Sequence, residues 1–391
     1  MTESRVETEK LPQTWEEIQG ISTNVLRGVY GYGFDNPSPI QKQAIAPVIQ
    51  GQDVIAQAQS GTGKTGCFTV ACLSRIDMES KTTQALIMAP TRELARQIHS
   101  VTMSVGTYMG SDENKLVIKL LVGGTSTEED TASLRNDVPH VIVGTPGRIH
   151  DMLRRRHIKS QNLSLLILDE ADEMLSVGFK EQVYNVFQFL KSDVQVALFS
   201  ATLPPDLITL TNKFMRDPVR ILVKSEQLTL EGIRQHYIAL DQDGEKYETL
   251  RDLYRSLAIG QCIIYCNSVR RVQDLYEAMK ADDYRVCCIH SAMDKTERSE
   301  NYDEFRRGSF NVLISSNVTA RGIDIQSVST VVNFDMPKDT HTYLHRIGRS
   351  GRWGRKGVAI NFATKRDYKK MKEIERYYNT TITELPSSFV Q

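Results

Sequence analysis

No run in this chain approaches the roughly 18 consecutive apolar residues that a membrane-spanning helix requires. An excess of one charge is missing too. Lys+Arg and Asp+Glu each total 48, so the 391 residues are formally neutral. Neutrality neither demands nor excludes a nucleic-acid partner, because a local basic stripe can coexist with zero net charge. Cysteine is scarce: the six thiols are Cys67, Cys72, Cys262, Cys266, Cys287 and Cys288, and no two form a Cys-x-x-Cys pair. That spacing argues against a zinc site, and the apolar runs around most of them read as buried free thiols in a reducing compartment. The first ten residues are charged and hold no apolar core, so no secretory leader is visible. The expected location is cytoplasmic, with the nucleus left open. Short-period repeats are absent as well, which excludes solenoids. What remains is a composition of ordinary globular type, 40% apolar and 25% charged, long enough for two or three domains.

After an arm of residues 1–13, apolar strand-like runs alternate with helical patterns. The runs at 53–57, 84–90, 116–122, 140–144, 164–168, 195–200 and 219–223 form one set. Those at 233–240, 262–266, 284–290, 311–315, 330–334 and 358–362 form a second. Alternation of this kind predicts parallel sheets covered by helices. Thirteen strands are too many for one comfortable open sheet, so the expectation is an α/β fold of two domains, each a mainly parallel sheet. The polar stretch 224–232 is the best linker, giving domains at 14–223 and 233–391 with a cleft between them.

Two segments carry the chemistry. Ala58-Gln59-Ser60-Gly61-Thr62-Gly63-Lys64-Thr65 follows a strand-like run and opens a helical one. Glycines there let backbone N–H groups turn inward toward phosphate oxygens, a lysine supplies a point charge, and a threonine hydroxyl can ligate magnesium. The strict pattern begins with Gly, a position held here by Ala58. The second segment is Leu166-Ile167-Leu168-Asp169-Glu170-Ala171-Asp172, an apolar strand ending in acids. Acids in a first helical turn are common on solvated helix starts, so alone the cluster is an even choice. Beside a phosphate loop it reads as Asp169 on magnesium and Glu170 on an attacking water. An ATP- or GTP-type substrate with Mg2+ is the minimum these residues imply.

Further motifs stand in order along the chain. Gly33-Phe34-x-x-Pro37-x-x-Ile40-Gln41 precedes the phosphate loop, and Pro90-Thr91-Arg92-Glu93-Leu94-Ala95, Gly123-Gly124 and Thr145-Pro146-Gly147-Arg148 follow it. Ser200-Ala201-Thr202, Thr319-Ala320-Arg321-Gly322-Ile323-Asp324 and His345-Arg346-Ile347-Gly348-Arg349-Ser350-Gly351-Arg352 complete the set. From about Trp15 onward the chain resembles the DEAD-box ATP-dependent RNA helicases with two RecA-like domains, and is most similar to the eukaryotic translation initiation factor 4A group. The resemblance implies ATP contacts by Phe34, Gln41, Ala58, Gln59, Ser60, Gly61, Thr62, Gly63, Lys64, Thr65 and Asp324. It implies catalysis by Lys64, Asp169, Glu170 and two arginine fingers, Arg349 and Arg352, with magnesium on Thr65 and Asp169 partly through water. Asp172, Ser200, Thr202 and His345 would couple domain closure to RNA. The RNA backbone would meet Pro90, Thr91, Arg92, Gly123, Gly124, Thr145, Pro146, Gly147, Arg148, Arg298, Thr319 and Gly322 without sequence preference.

Three departures from the family pattern stand out. Lys295 replaces a glutamine before Arg298, Tyr265 replaces a phenylalanine, and Trp15 replaces an upstream aromatic that is usually phenylalanine. The implied activity is RNA-stimulated ATP hydrolysis coupled to closure and local unwinding of short duplexes, in translation initiation. An ATP-gated RNA clamp or scaffold in RNA processing uses the same motifs and stays open as the alternative. A monomer with a regulatory or scaffold protein bridging both domains, and no membrane, completes the expectation.

Overall fold

The computed structural model describes residues 11–58, 61–111, 113–176, 178–222, 233–256, 260–316, 327–350 and 357–386. The chain divides into two compact units, the first ending at Leu222. Among the described residues no helix is long and apolar enough to cross a membrane.

The first unit is built on β1 (Val54–Gln57), β2 (Ala85–Met88), β3 (Ile118–Leu121), β4 (Val141–Gly144), β5 (Leu165–Asp169), β6 (Gln195–Ser200) and β7 (Val219–Leu222). They form one sheet in the order β3-β4-β2-β5-β6-β1-β7, with every pairing parallel. Strands β2, β4, β5 and β6 are buried at every residue. Helices therefore cover both faces, which is why the sequence shows continuous apolar runs here instead of alternation. Side chains still divide by parity. Leu86, Met88, Leu166, Leu168, Val196 and Leu198 join one core. Phe199 points the other way, edge-on to Phe68 with ring centroids 5.2 Å apart.

Phe68 belongs to α3 (Lys64–Ser74), a helix buried along most of its length. Two helices lead into it. The first, α1 (Thr23–Tyr32), starts where Ser22 Oγ accepts the Val25 N–H at 3.4 Å and ends at Gly33, whose φ of 93° only glycine adopts freely. The second, α2 (Pro39–Ile49), has proline in its first turn, where the missing N–H costs nothing. Further along, α4 (Arg92–Val105) is capped by Thr91, α6 (Pro146–Arg154) begins after Thr145, and α7 (Ala171–Ser176) follows β5. Between β3 and β4 runs α5 (Thr127–Asn136), with α8 (Lys180–Phe189) and α9 (Pro205–Phe214) completing the cover.

In the second unit β8 (Ile233–Leu240), β9 (Gln261–Tyr265), β10 (Val286–Ile289), β11 (Val312–Ser315), β12 (Val328–Asn333), β13 (Gly357–Thr364) and β14 (Thr383–Glu384) again form a parallel sheet. Their order is β10-β11-β9-β12-β13-β8-β14. Its described helices are α10 (Lys246–Ser256), α11 (Val269–Ala281), α12 (Lys295–Arg307), α13 (Thr340–Ile347) and α14 (Tyr368–Tyr378). The thirteen expected strands all form, with ends shifted by a few residues. β14 is an addition. Its two exposed residues pair with β8 at His236 and Tyr237 and carry no hydrophobic pattern by which sequence could reveal it. All six cysteines are buried and free, and burial pushes their thiols well above the ordinary range. They pack in the interior of the two units.

At Gly28 the backbone packs closely, and an added Cβ would lie 1.8 Å from the Val105 carbonyl oxygen. Gly→Ala inside a helix gains up to about 1 kcal/mol of propensity. A clash with backbone cannot be relieved by rotating a side chain, and overpacking of that kind costs about 1–3 kcal/mol or more. Gly28→Ala is therefore expected to destabilise the first unit by about 2 kcal/mol. Urea unfolding of the intact chain reads this, and a higher midpoint would show that α1 is not packed against α4 as described.

Candidate functional site

Sheet order assembles the site. Reading along the carboxyl edge of the first sheet, the loops that leave β3, β4, β2, β5, β6 and β1 start at residues 122, 145, 89, 170, 201 and 58. Segments that are scattered through some 140 positions of sequence become one continuous row. Gly123-Gly124, Thr145–Arg148 and Pro90–Arg92 occupy one half, the phosphate loop occupies the other, and Asp169–Asp172 and Ser200–Thr202 lie between.

At the phosphate loop, Gly61 and Gly63 take φ of 82° and 98°, left-handed values that a side chain resists. Lys64 begins α3, and its Nζ donates to the Ala58 carbonyl at 2.8 Å, so a buried cation closes the loop on itself. Ala58 N–H in turn donates to the Ser200 carbonyl at 3.0 Å. Gln41 leans on this loop from α2. Its Oε1 accepts the Ser38 N–H at 2.7 Å and its Nε2 donates to the Gly63 carbonyl at 3.0 Å. A glutamine amide offers two donors and two acceptor positions, so one of each remains for an adenine edge. Phe34 stands beside it, 3.1 Å from where a Cβ on Gly66 would lie. Trp15 is fully buried, stacks on Phe34 at 6.1 Å, and donates its indole N–H to the Phe34 carbonyl at 3.1 Å. It is the backing of Phe34 and not an exposed ring.

The acids follow β5. Asp169 is 2% exposed, and its Oδ1 accepts the Glu170 N–H at 3.0 Å. Burial pushes its carboxyl up to about 7, against the opposing pull of Lys64 and with a further push from Glu170. A carboxylate so placed fits a hard divalent cation. Among the described residues no three His, Cys, Asp or Glu side chains group to hold a metal, so such an ion would draw its other ligands from Thr65, phosphate oxygens and water. Glu170 has φ of 49°, a strained value for a non-glycine residue, which turns the chain sharply out of the strand. Asp172 is committed elsewhere. Its Oδ2 accepts from the Thr202 hydroxyl at 2.6 Å and its Oδ1 from the Glu173 N–H at 3.1 Å. Ser200 Oγ accepts the Asp172 N–H at 3.3 Å and donates to the Thr202 carbonyl at 2.7 Å. Asp172, Ser200 and Thr202 are one buried hydrogen-bonded unit.

In the other half, Thr91 caps α4 by accepting the Leu94 N–H at 3.2 Å. Arg92 Nη2 lies 3.4 Å from where a Cβ on Gly123 would sit, and Gly124 has φ of 98°. The Thr145 N–H donates to the Leu121 carbonyl at 3.0 Å, Pro146 is the first residue of α6, and the space where Gly147 would carry a side chain is open. The Arg148 guanidinium is paired here, Nη1 with Asp130 Oδ2 at 2.9 Å.

In the second unit α13 carries His345 and Arg346, with Arg349 just beyond; His345 and Arg349 are buried, and Arg349 Nε donates to the His345 carbonyl at 3.2 Å. Arg298 is half-buried in the first turn of α12, after β10. Gln59, Ser60, Thr319, Gly322, Asp324, Arg352 and the 224–232 linker lie outside the described residues.

Sequence reasoning missed the framework behind α13. Arg346 is fully buried, donating from Nη1 to Asn333 Oδ1 at 3.1 Å and the Asp335 carbonyl at 2.7 Å, and from Nη2 to Asn267 Oδ1 at 2.8 Å. Its guanidinium also stands 5.2 Å from the Tyr265 ring centre. Asp335 binds Lys246 at 3.1 Å, Arg271 at 2.8 Å and the Asn267 N–H at 3.0 Å. Burial lowers Arg346 to about 10, which still leaves it charged at neutral pH. One signal could have found it. Val331–Phe334 followed by Asp335 repeats the layout of Leu165–Leu168 followed by Asp169, an apolar strand delivering an acid to its carboxyl end.

Fold and site together define a class: a nucleotide-hydrolysing protein of two RecA-like units, with a phosphate loop and an acidic strand end in the first. Comparison with known proteins gives the family. The DEAD/DEAH box helicase model matches residues 38–210, and the helicase conserved C-terminal domain model matches 245–354. The chain is 52% identical to an "ATP-dependent RNA helicase eIF4A" of Chaetomium globosum, over 94% of this chain and 91% of that one. A protein of the same name from Phaeosphaeria nodorum is 51% identical over 95% and 92%. Among solved structures, S. cerevisiae Dbp5 bound to RNA and ADP BeF3 superposes with TM-score 0.88 at 34% identity, covering 95% of each chain. The chain belongs to the DEAD/DEAH box helicases, enzymes that run on ATP.

Removing Arg346 strands several buried partners at once. Arg346→Met leaves three acceptors without their donor and is expected to cost the second unit about 3–5 kcal/mol. Denaturant unfolding followed by probes in each unit checks it, and an unchanged second-unit transition would contradict the buried pairing.

Proposed function

We propose that the chain is an ATP-dependent RNA helicase in which RNA-stimulated ATP hydrolysis is coupled to closure of two domains, 14–223 and 233–391, across a 224–232 linker: ATP and RNA binding close the cleft, and hydrolysis reopens it. The observation that carries the reading is the strand order of the first sheet, which sets the phosphate-loop half and the Gly123–Arg148 half on one edge with the acids between. ATP would enter against Phe34, with the free donor and acceptor of Gln41 on adenine and Gly61, Gly63 and Lys64 around the phosphates. A magnesium ion bound with the nucleotide would neutralise phosphate charge beside Asp169 and Thr65. Glu170 would orient and deprotonate the attacking water. Arg349 and Arg352 would reach the phosphates on closure, with Asp324 on the ribose.

RNA would lie across the backbone N–H groups of Gly123, Gly124 and Gly147, with Thr91, Arg92, Thr145, Arg298, Thr319 and Gly322 alongside. The open space at Gly147 supports a close approach there. The Asp172–Thr202–Ser200 unit would pass the state of the phosphate site to the RNA half, with His345 its counterpart in the second domain. Relatives named eIF4A support translation initiation as the process. Structures of Dbp5 variants with Gle1 or Nup159 support a regulatory protein partner.

The test compares ATP turnover with RNA and with DNA oligonucleotides of one sequence. RNA is expected to stimulate and DNA to fail. Glu170→Gln should lower RNA-stimulated kcat by about 10²–10⁴-fold while ATP and RNA still bind. Normal turnover in that variant would remove Glu170 from catalysis, and equal stimulation by DNA would remove the RNA assignment.

A further inference from the structure

Arg148 and Asp130 form a pair whose side chains are only 9% and 11% exposed, and Asp130 belongs to none of the motifs. The guanidinium makes three links. Nη1 reaches Asp130 Oδ2 at 2.9 Å and Thr127 Oγ1 at 3.0 Å, and Nη2 reaches the Thr125 carbonyl at 2.7 Å. Asp130 Oδ2 also lies 2.9 Å from the Thr125 hydroxyl, whose single proton is shared between it and the Val122 carbonyl at 3.0 Å. Asp130 thus ties the 122–127 loop to the first turn of α5, and Arg148 ties the first turn of α6 to both. These two loops carry Gly123-Gly124 and Thr145–Gly147, and the space for a side chain at Gly147 is open.

A guanidinium neutralised by a carboxylate at 2.9 Å offers little net attraction to a phosphate. Swinging it outward would leave Asp130 buried and unpaired, which costs more than an exposed phosphate contact returns. The planar fork explains why arginine is needed, since an ammonium cannot hold three acceptors set at these angles.

We propose that Asp130 and Arg148 are positioning residues for the RNA backbone, a clamp that holds two loops in register without carrying phosphate themselves. The inference rests on the RNA reading above and deepens it. The relevant RNA affinity comes from backbone N–H groups whose spacing the clamp sets, so loss of either partner loosens both loops together.

The experiment uses the full chain, a single-stranded RNA oligonucleotide and a non-hydrolysed ATP analogue, with Kd measured across a salt series. RNA-stimulated ATPase is measured in parallel. Asp130→Asn and Arg148→Lys are each expected to raise Kd and the half-stimulating RNA concentration roughly tenfold, as members of one coupled network. At saturating RNA, kcat should stay within about twofold, the combined variant should be no worse than the weaker single one, and the slope of log Kd against log salt should be unchanged. Thr127→Val, which removes one hydrogen bond and no charge, should move the same readouts in the same direction more weakly, and serves if Asp130→Asn fails to fold.

The clamp is overturned if Arg148→Lys binds RNA as the wild type does while Arg148→Gln flattens the salt slope by about 0.7, the signature of one lost phosphate contact on a single strand. Additive effects of the two single substitutions would overturn it as well. Wild-type protein that fails to bind RNA would instead sink the RNA reading on which the clamp rests.

Discussion

The parallel pairing of β5 with β6 is the constraint on which the rest depends. In this register Leu168 faces Leu198 and Asp169 faces Phe199, so the first acid leaves the sheet beside Ser200. A slip of one residue would send Asp169 to the other face and bury Leu168 where the acid stands, because side chains alternate along a strand. Hydrophobic burial on both faces prevents the slip, and the chemistry inherits its geometry from that packing. The hydrogen bonds among Asp172, Ser200 and Thr202 then lock the two loops that the register has made neighbours.

Because both faces of the sheet are covered, polar work is confined to its edges. All strands run the same way, so every loop following a strand emerges on one edge, and strand order alone decides which loops touch. The order β3-β4-β2-β5-β6-β1 sets the acids in the middle of the row. Asp169–Asp172 and Ser200–Thr202 thus lie between the phosphate loop and the loops beyond. The second unit uses the same device with a different emphasis. Its strand-end acid, Asp335, is neutralised by Lys246 and Arg271 and serves to seat α13, whereas Asp169, with Lys64 as its nearby cation among the described residues, has its carboxyl pushed up by burial.

Much of this was legible from residues alone where a local pattern carries a local consequence. Continuous apolar runs marked the strands, and the glycines of the phosphate loop marked a turn with left-handed backbone at Gly61 and Gly63. Asp169 was recognisable because an apolar strand can end in an acid only where that acid meets a cation or water. The roles of Trp15, Arg148 and Arg346 were not legible. Trp15 was noted only as a replacement for an upstream phenylalanine, and it is the support of Phe34. Arg148 looked like a free charge and is paired with Asp130, 18 positions earlier in sequence. Arg346 sits among basic residues of one motif, and it is fully buried. Each depends on a partner distant in sequence, and side-chain pairing over such distances leaves no periodic trace.

By itself, then, the sequence determined the element types and the two-sheet plan, and marked where phosphate chemistry is proposed, since these follow from hydrophobic period, glycine placement and acid after strand. Only the tertiary structure decided which charges are available for that chemistry and which are spent on the framework. The reason is physical: a charge is functional or structural according to whether a counter-charge lies within a few ångströms of it, and that distance is set by packing between elements.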